Sequence, residues 1–212
     1  IFAISKNVYA NNNLFLIQGN NFTDHDVIIS LLKNIPENLD EEYSNEIIKV
    51  LNESNLFSDV RVNFIDNKYN IIVNEYPNIR KIYFENNERL KDDELRIIAN
   101  DLSLTNLNSK SLNLFINETK KIYESYGYNN IEIEYYEKYY EDTNTVDLYF
   151  NINEGEITKI NKIIVNGNNS ILTDDIKDII QSKTRSIVNI FANNNYKPIK
   201  VERDKFTIVN YY

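Results

Sequence analysis

Apolar positions in this chain switch between a period of two and a period near 3.6, and the switches recur in the same order. Ile79-Arg-Lys-Ile82-Tyr-Phe84 predicts a short strand that breaks at Asn86-Asn87. Over Asp92 to Asp101, Leu95, Ile98, Ala99 and Leu102 fall at i, i+3, i+4 and i+7, which gathers four apolar side chains on one helical face. A second helix is predicted over Ser111 to Tyr126, where Leu112, Ile116, Thr119, Tyr123 and Tyr126 form a continuous stripe. Gly127 follows the stripe and supplies the left-handed residue that ends helices. Two strands close the unit, Ile131-Glu-Ile133-Glu-Tyr135 and Val146-Asp-Leu148-Tyr-Phe150-Asn-Ile152, around the turn Asp142-Thr-Asn-Thr145.

This β-α-α-β-β unit repeats. Ile79-x-Lys81-Ile82-x-Phe84-x-Asn86-Asn87 recurs 81 residues later as Ile160-x-Lys162-Ile163-x-Val165-x-Gly167-Asn168, and more loosely earlier as Phe15-x-Ile17-x-Gly19-Asn20. Each opening leads to an acidic helix start, at Asp24, Asp92 or Asp174. The chain therefore divides into modules 12–77, 78–155 and 156–212, with 1–11 as either the remnant of a signal peptide or a disordered leader.

In the first module, Leu14 to Gln18 predicts strand one, and Thr23 is expected to cap a helix running through Leu32 and stopping before Pro36. A second helix covers about Glu41 to Glu53, and the hairpin pairs Val60-Arg-Val62-Asn-Phe64 with Tyr69-Asn-Ile71-Ile72-Val73. That last strand is apolar on both faces while its partner is half charged, so it belongs mid-sheet and its partner at the edge. Each sheet is thus expected in the order 1-3-2.

The third module departs from this pattern. Its first helix is expected over Asp174 to Lys183. An insert then runs from Thr184 to Lys200, with an apolar cluster at Ile187, Val188, Ile190 and Phe191. A helix restarts at Val201 with Ile208, Val209 and Tyr212 on its apolar side. The residues end inside that helix, so the module lacks its hairpin and its opening strand is expected to fray.

Composition narrows the function. Lys and Arg number 23 against 32 Asp and Glu, a net charge of −9, which disfavours nucleic acid as a partner because phosphate binding needs clustered cations. Without cysteine there are no disulfides, thiolate metal sites or cysteine nucleophile. The frequent Asn and Ile fit the coding bias of an AT-rich genome.

The ordered unit, the Ile-x-Gly-Asn opening, the Tyr-Gly-Tyr or Asn-Leu-Phe step into strand two and the acidic close at Glu75-Tyr-Pro77 or Asn153-Glu-Gly155 resemble POTRA domains. Among these the nearest resemblance is to the periplasmic arm of BamA-type outer-membrane protein assembly factors, and the third-module insert resembles alphaproteobacterial members. Asn86 departs from the pattern by standing where Gly is usual. The resemblance implies an α+β fold of tandem three-stranded mixed sheets, each covered by two helices. It implies a periplasmic location tethered to the outer membrane and no enzymatic activity or cofactor. The implied partners are unfolded outer-membrane β-barrel precursors and accessory assembly lipoproteins, with the family's C-terminal membrane β-barrel absent from these residues. A related transporter arm, of TamA or two-partner secretion type, and a surface adhesin are the alternatives.

The candidate binding residues are those of strand two in each module: Asp59, Val60, Arg61, Val62, Asn63 and Phe64, and Ile131, Glu132, Ile133, Glu134 and Tyr135. An edge strand offers unpaired N–H and C=O groups to which an extended segment can add whatever its sequence. The plainer account is a solvated edge guarded by Arg61, Glu132 and Glu134. The run Tyr135-Tyr-Glu-Lys-Tyr139-Tyr140 is either an aromatic patch for clients or a row packing along its own sheet. Gly19, Asn20, Gly127, Gly155, Gly167 and Asn168 are turn residues. The lone His25 between Asp24 and Asp26 has neither metal partners nor a nucleophile motif, and the carboxylates of Asp92, Asp93 and Glu94 suit a helix N-terminus.

Overall fold

The computed structural model describes residues 14–33, 35–36, 39–185 and 193–212. Their contacts form two compact units. One takes in the residues up to Lys81 with Leu104–Lys110 and Lys138–Asp147, and the other takes in Ile82–Ser103, Ser111–Glu137 and the chain from Leu148 onward. The leader at residues 1–11 and the insert cluster Ile187, Val188, Ile190 and Phe191 lie outside the described residues. No helix among the described residues is long and apolar enough to cross a membrane.

In the first unit β1 (Phe15–Gln18), α1 (His25–Leu31), α2 (Glu42–Glu53), β2 (Phe57–Ile65) and β3 (Lys68–Glu75) follow one another. The sheet order is β1-β3-β2, with β1 parallel and β2 antiparallel to β3. The expected 1-3-2 order is what forms, because Tyr69, Ile71 and Val73 fill the core face of β3 while Ile72 is half-buried on the other. On α2, Tyr43, Ile47 and Leu51 follow at intervals of four and join this core with Ile28 of α1. The ring of Tyr69 lies against Phe15, Tyr43 and Phe64, with centroids 5.8, 5.4 and 4.7 Å away. Its hydroxyl donates to the Asp40 carbonyl at 2.8 Å, which satisfies the polar end of a fully buried ring, and burial pushes that phenol above its ordinary pKa. Thr23 does not cap α1. Asp24 occupies the N-cap, and the Thr23 N–H is taken by Glu75 at 2.6 Å.

The second sheet is built from β4 (Asn78–Glu85), β5 (Glu132–Tyr140) and β6 (Thr145–Asn153) in the order β4-β6-β5. Between them run α3 (Asp92–Asp101) and α4 (Ser109–Tyr126). In the second unit Phe84, Phe115 and Phe150 form the aromatic centre, with centroids 5.0 to 6.2 Å apart. Phe115 is 1% exposed although the predicted stripe of α4 passes it by. It adjoins Ile116 and Leu112 on the same arc, so the buried face is wider than a single-file reading admits. Ile131 precedes β5 and is a core residue.

The third module takes a different form from its expected one. Residues 160–165 form no strand, and their neighbourhood holds one isolated bridge, Lys159 with Asn195. Helix α5 is Thr173–Ile179 and stops four residues short of Lys183. The N–H groups of Gln181 and Ser182 turn instead to the buried carboxylate of Asp204, at 2.6 and 2.9 Å. Helix α6 (Pro198–Tyr211) begins earlier than expected, with proline in its first turn where a missing N–H costs nothing. Val209 and Tyr212 are exposed rather than inward, and Asp204 is the buried residue of that helix.

The turns after each opening strand are built alike. Gly19, Asn86 and Gly167 all take positive φ, at 88°, 63° and 80°. The next residue then donates its side-chain amide to the carbonyl three residues on: Asn20 to Thr23, Asn87 to Leu90 and Asn168 to Ile171, at 2.9 to 3.1 Å. Asn86 can stand in the glycine place because asparagine tolerates the left-handed region. Its side chain bonds Asn151 at 2.7 Å.

Candidate functional site

Among the described residues no strand pairs beyond β2 or β5, so both candidate strands end their sheets. The antiparallel ladder sets Val60 opposite Val73, Val62 opposite Ile71 and Phe64 opposite Tyr69. Alternation then sends Asp59, Arg61, Asn63 and Ile65 to the other face. Between Phe57 and Asp59 the register shifts, a bulge at Ser58 that lets Phe57 and Val60 share the core face although three residues apart. Arg61 pairs with Asp59 at 3.0 Å on the outward face. Beside this edge runs a groove of about 530 Å³, lined by Glu42, Asn45 and Ile48 of α2 and by Val62, Phe64 and Ile65 of β2. Its lining joins apolar side chains to the carboxylates of Glu41 and Glu42.

On β5 the candidate residues divide by face. Tyr135 turns toward the core, its ring 5.9 Å from Phe150. Tyr136 turns the other way and stacks on Tyr149 of β6, which stacks in turn on Tyr83 of β4. Both ring separations are 4.7 Å, and the planes are within 2° and 11° of parallel. The tyrosine run is thus neither wholly a patch nor wholly packed. Glu132 and Glu134 share the outward face with Tyr136 and are exposed.

At the other end of β5, in the first unit, Tyr140 belongs to a charged cluster. Arg80 Nε donates to Asp147 Oδ1 at 2.8 Å, Arg80 Nη2 donates to Asp147 Oδ2 at 2.5 Å, and the Tyr140 hydroxyl donates to Asp147 Oδ2 at 3.1 Å. The guanidinium also lies 4.1 Å over the Tyr140 ring. Hydrogen bonding from Arg80 holds the Asp147 carboxyl below the usual carboxylate range, although the side chain is 2% exposed and burial alone would raise it.

A three-stranded sheet has two edges. The opposite edges belong to β1 and β4. β1 is four residues long. Along β4 the backbone is partly occupied: Ile79 N–H donates to Thr105 O at 2.8 Å, and the Ile82 carbonyl accepts from Arg96 at 3.3 Å. The nine-residue strands β2 and β5 therefore present the longer edges.

Gly127 has φ 105°, and a Cβ there would press on Ile157 and Asn195, while Gly155 has φ 64°. Among the described residues no group of three acidic or histidine side chains is placed to hold a metal ion.

Residues 77–155 match the family model described as POTRA, surface antigen variable number repeat. Comparison with curated proteins finds no match. Among solved structures the chain is similar to Haemophilus influenzae BamA POTRA3-5 at 13% identity, covering 93% of this chain and 84% of that one with a TM-score of 0.45. It is similar to the N-terminal domain of Omp85 from the cyanobacterium Thermosynechococcus elongatus at 13% identity, covering 93% and 83% with a TM-score of 0.45. It is also similar to POTRA1-2 of the periplasmic domain of Omp85 from Anabaena at 17% identity, covering 68% and 94% with a TM-score of 0.41.

Proposed function

We propose that this chain is a non-enzymatic docking arm of POTRA modules that binds extended polypeptide segments by adding them as a further strand to β2 or β5. The observation that carries this reading is the sheet order, in which β2 and β5 each have one neighbour among the described residues. Main-chain bonding along nine residues supplies affinity without fixing the partner's sequence, which suits a receptor for many clients. The match of residues 77–155 to the POTRA model supports the wider setting: the periplasmic face of the outer membrane, with unfolded β-barrel precursors as clients and accessory lipoproteins as neighbours.

The test is site-specific photocrosslinking with an unfolded barrel precursor. Probes replace Asp59, Arg61 and Asn63 on β2 and Glu132, Glu134 and Tyr136 on β5, with matched probes on the exposed faces of α2 and α4. Adducts on the strands support edge docking. Adducts confined to the helices, with none on either strand, rule it out.

A further inference from the structure

A stack of tyrosine rings crosses the second sheet and ends at the β5 edge. Tyr83, Tyr149 and Tyr136 come from three adjacent strands, β4, β6 and β5, and their rings repeat at 4.7 Å. That repeat equals the spacing between hydrogen-bonded strands, so the stack keeps step with the sheet, one ring per strand. Tyr136 ends the stack. One face of its ring covers Tyr149, and the other looks outward along the direction in which a fourth strand would be added; the residue is 56% exposed. An added strand repeats the spacing and brings one side chain directly onto that open face. Planar rings gain most from such a position, because cross-strand aromatic pairs exceed aliphatic and polar ones.

Charge fixes a second position. Glu134 lies two residues before Tyr136 on the same outward face, and Glu132 two residues before that. The side chain facing Glu134 across a new ladder is two residues from the one facing Tyr136, and a lysine or arginine there is favoured over an acid.

The geometry points to a selective site: the segment that docks on β5 carries an aromatic residue opposite Tyr136 and a basic residue two positions away, opposite Glu134. This rests on the edge-docking reading above and adds to it a register and a side-chain preference. The occupant is an extended segment of a partner protein whose pattern is basic-x-aromatic-x or its reverse.

The experiment uses the full chain and capped, fluorescently labelled nine-residue peptides rich in threonine. The peptides are made in two orders, with a central Lys-Thr-Tyr for a parallel strand and a central Tyr-Thr-Lys for an antiparallel one, so that the lysine faces Glu134 and not Lys138, which lies two residues beyond Tyr136 on the same face. In a second pair the tyrosine is serine, and in a third the lysine is glutamate. Binding is followed by anisotropy, and the strand is located by amide exchange across β5. The tyrosine peptide is expected to bind about five-fold more tightly than the serine peptide. That ratio is expected to fall to about one in Tyr136→Ser and to persist in Tyr83→Ser, which shortens the stack at its far end. In Glu134→Lys the preference between lysine and glutamate peptides is expected to reverse. If tyrosine and serine peptides bind equally while β5 amides are protected, edge docking stands and the selection is wrong. If no peptide binds and no β5 amide slows, both fail.

Discussion

The carboxylate of Glu75 accepts the backbone N–H of Thr23 at 2.6 Å and that of Phe22 at 3.0 Å. The end of β3 thereby ties down the approach to α1, whose own N-cap Asp24 makes no side-chain capping bond. A carboxylate brought from 52 residues away holds the two amides that lead into the helix, with its charge near the helix's positive end. The second module repeats the device, with Glu154 accepting the Arg89 N–H at 2.7 Å and the Tyr123 hydroxyl at 2.9 Å. Glu75→Ala strands two amide donors and is expected to cost about 1–3 kcal/mol. Glu75→Gln keeps one acceptor and is expected to cost less. Urea unfolding measures both, and a Glu75→Ala midpoint equal to that of the parent would remove the anchoring role.

The left-handed turns predict an ordering of glycine substitutions. A Cβ at Gly19 would collide with the carbonyl oxygen of Val73, whereas one at Gly167 meets nothing within 4 Å. Gly167→Ala therefore pays only the left-handed penalty, roughly 1–2 kcal/mol. Gly19→Ala must also displace the backbone of the central strand and is expected to cost clearly more. Asn86→Gly relieves the backbone but loses the bond to Asn151, so its net effect is expected to stay within about 1 kcal/mol. Thermal and urea unfolding of the three variants checks the order; equal losses at Gly19 and Gly167 would contradict it.

Acid titration should single out Asp147. Its folded pKa lies below the unfolded value of 3.8 because Arg80 and Tyr140 bond the ionised form. A group shifted in this direction contributes stability that is complete above the unfolded pKa and is lost as pH falls through the folded one. The melting-temperature advantage of the parent over Asp147→Asn is therefore expected to be constant at neutral pH and to shrink below about pH 4. Removing one member of a pair whose carboxylate is buried is costly, so the neutral-pH gap is expected to be large for a single substitution. A gap that does not change between pH 7 and pH 3 would show that the pair does not titrate with folding.

How far the sequence could be read follows from the range of the forces involved. Strand three was legible as central because its own residues are apolar on both faces, and the repeat was legible because Asn20, Asn87 and Asn168 make the same local bond. Thr23 and Asp24 are both good caps. Asp24 takes the position, while the Thr23 N–H is held by Glu75, which no local window contains. The bulge at Ser58, the burial of Asp204 and the stack of Tyr83, Tyr149 and Tyr136 all depend on register between segments far apart in the chain. Alternation along β5 alone says that Tyr136 faces away from Tyr135, and says nothing of what it meets.

A paired set of hydrogen bonds occurs twice in the chain. In the first unit Ile79 N–H donates to Thr105 O and Leu107 N–H to Pro77 O, both at 2.8 Å, and the buried Asn106 side chain reaches the carbonyl of Asn55. In the second unit Ile160 N–H donates to Asn194 O at 2.7 Å and Tyr196 N–H to Thr158 O at 2.8 Å, while Asn195 reaches the Tyr126 carbonyl at 3.4 Å. The longer bond of Asn195 is the weaker one, since the strength of such contacts falls off steeply beyond the usual donor–acceptor range. Asn106→Ala is thus expected to speed amide exchange at Ile79 and Leu107 by more than Asn195→Ala speeds it at Ile160 and Tyr196. The opposite ranking would mean the backbone pairs hold without the side chains.

Asp204 offers the most local test of how the third module is held. Its carboxylate is 6% exposed and accepts two successive N–H groups, from Gln181 at 2.6 Å and Ser182 at 2.9 Å, just after α5 ends. The chain leaves the helix at Ile180 with extended backbone (ψ 151°), so these amides have left the helical ladder. Asp204→Ala leaves both donors unpaired at a cost of about 1–3 kcal/mol. Asp204→Asn is nearly isosteric but turns an NH₂ toward one of two donors, so it is expected to rescue little. With 1.4 kcal/mol per factor of ten, exchange at Gln181 and Ser182 should quicken by roughly ten-fold in either variant. The amide of Ile176, bonded within its own turn to Leu172 at 3.2 Å, serves as the internal reference. Uniform acceleration at all three would point to loss of the whole module, and unchanged rates at Gln181 and Ser182 would show that the carboxylate does not hold them.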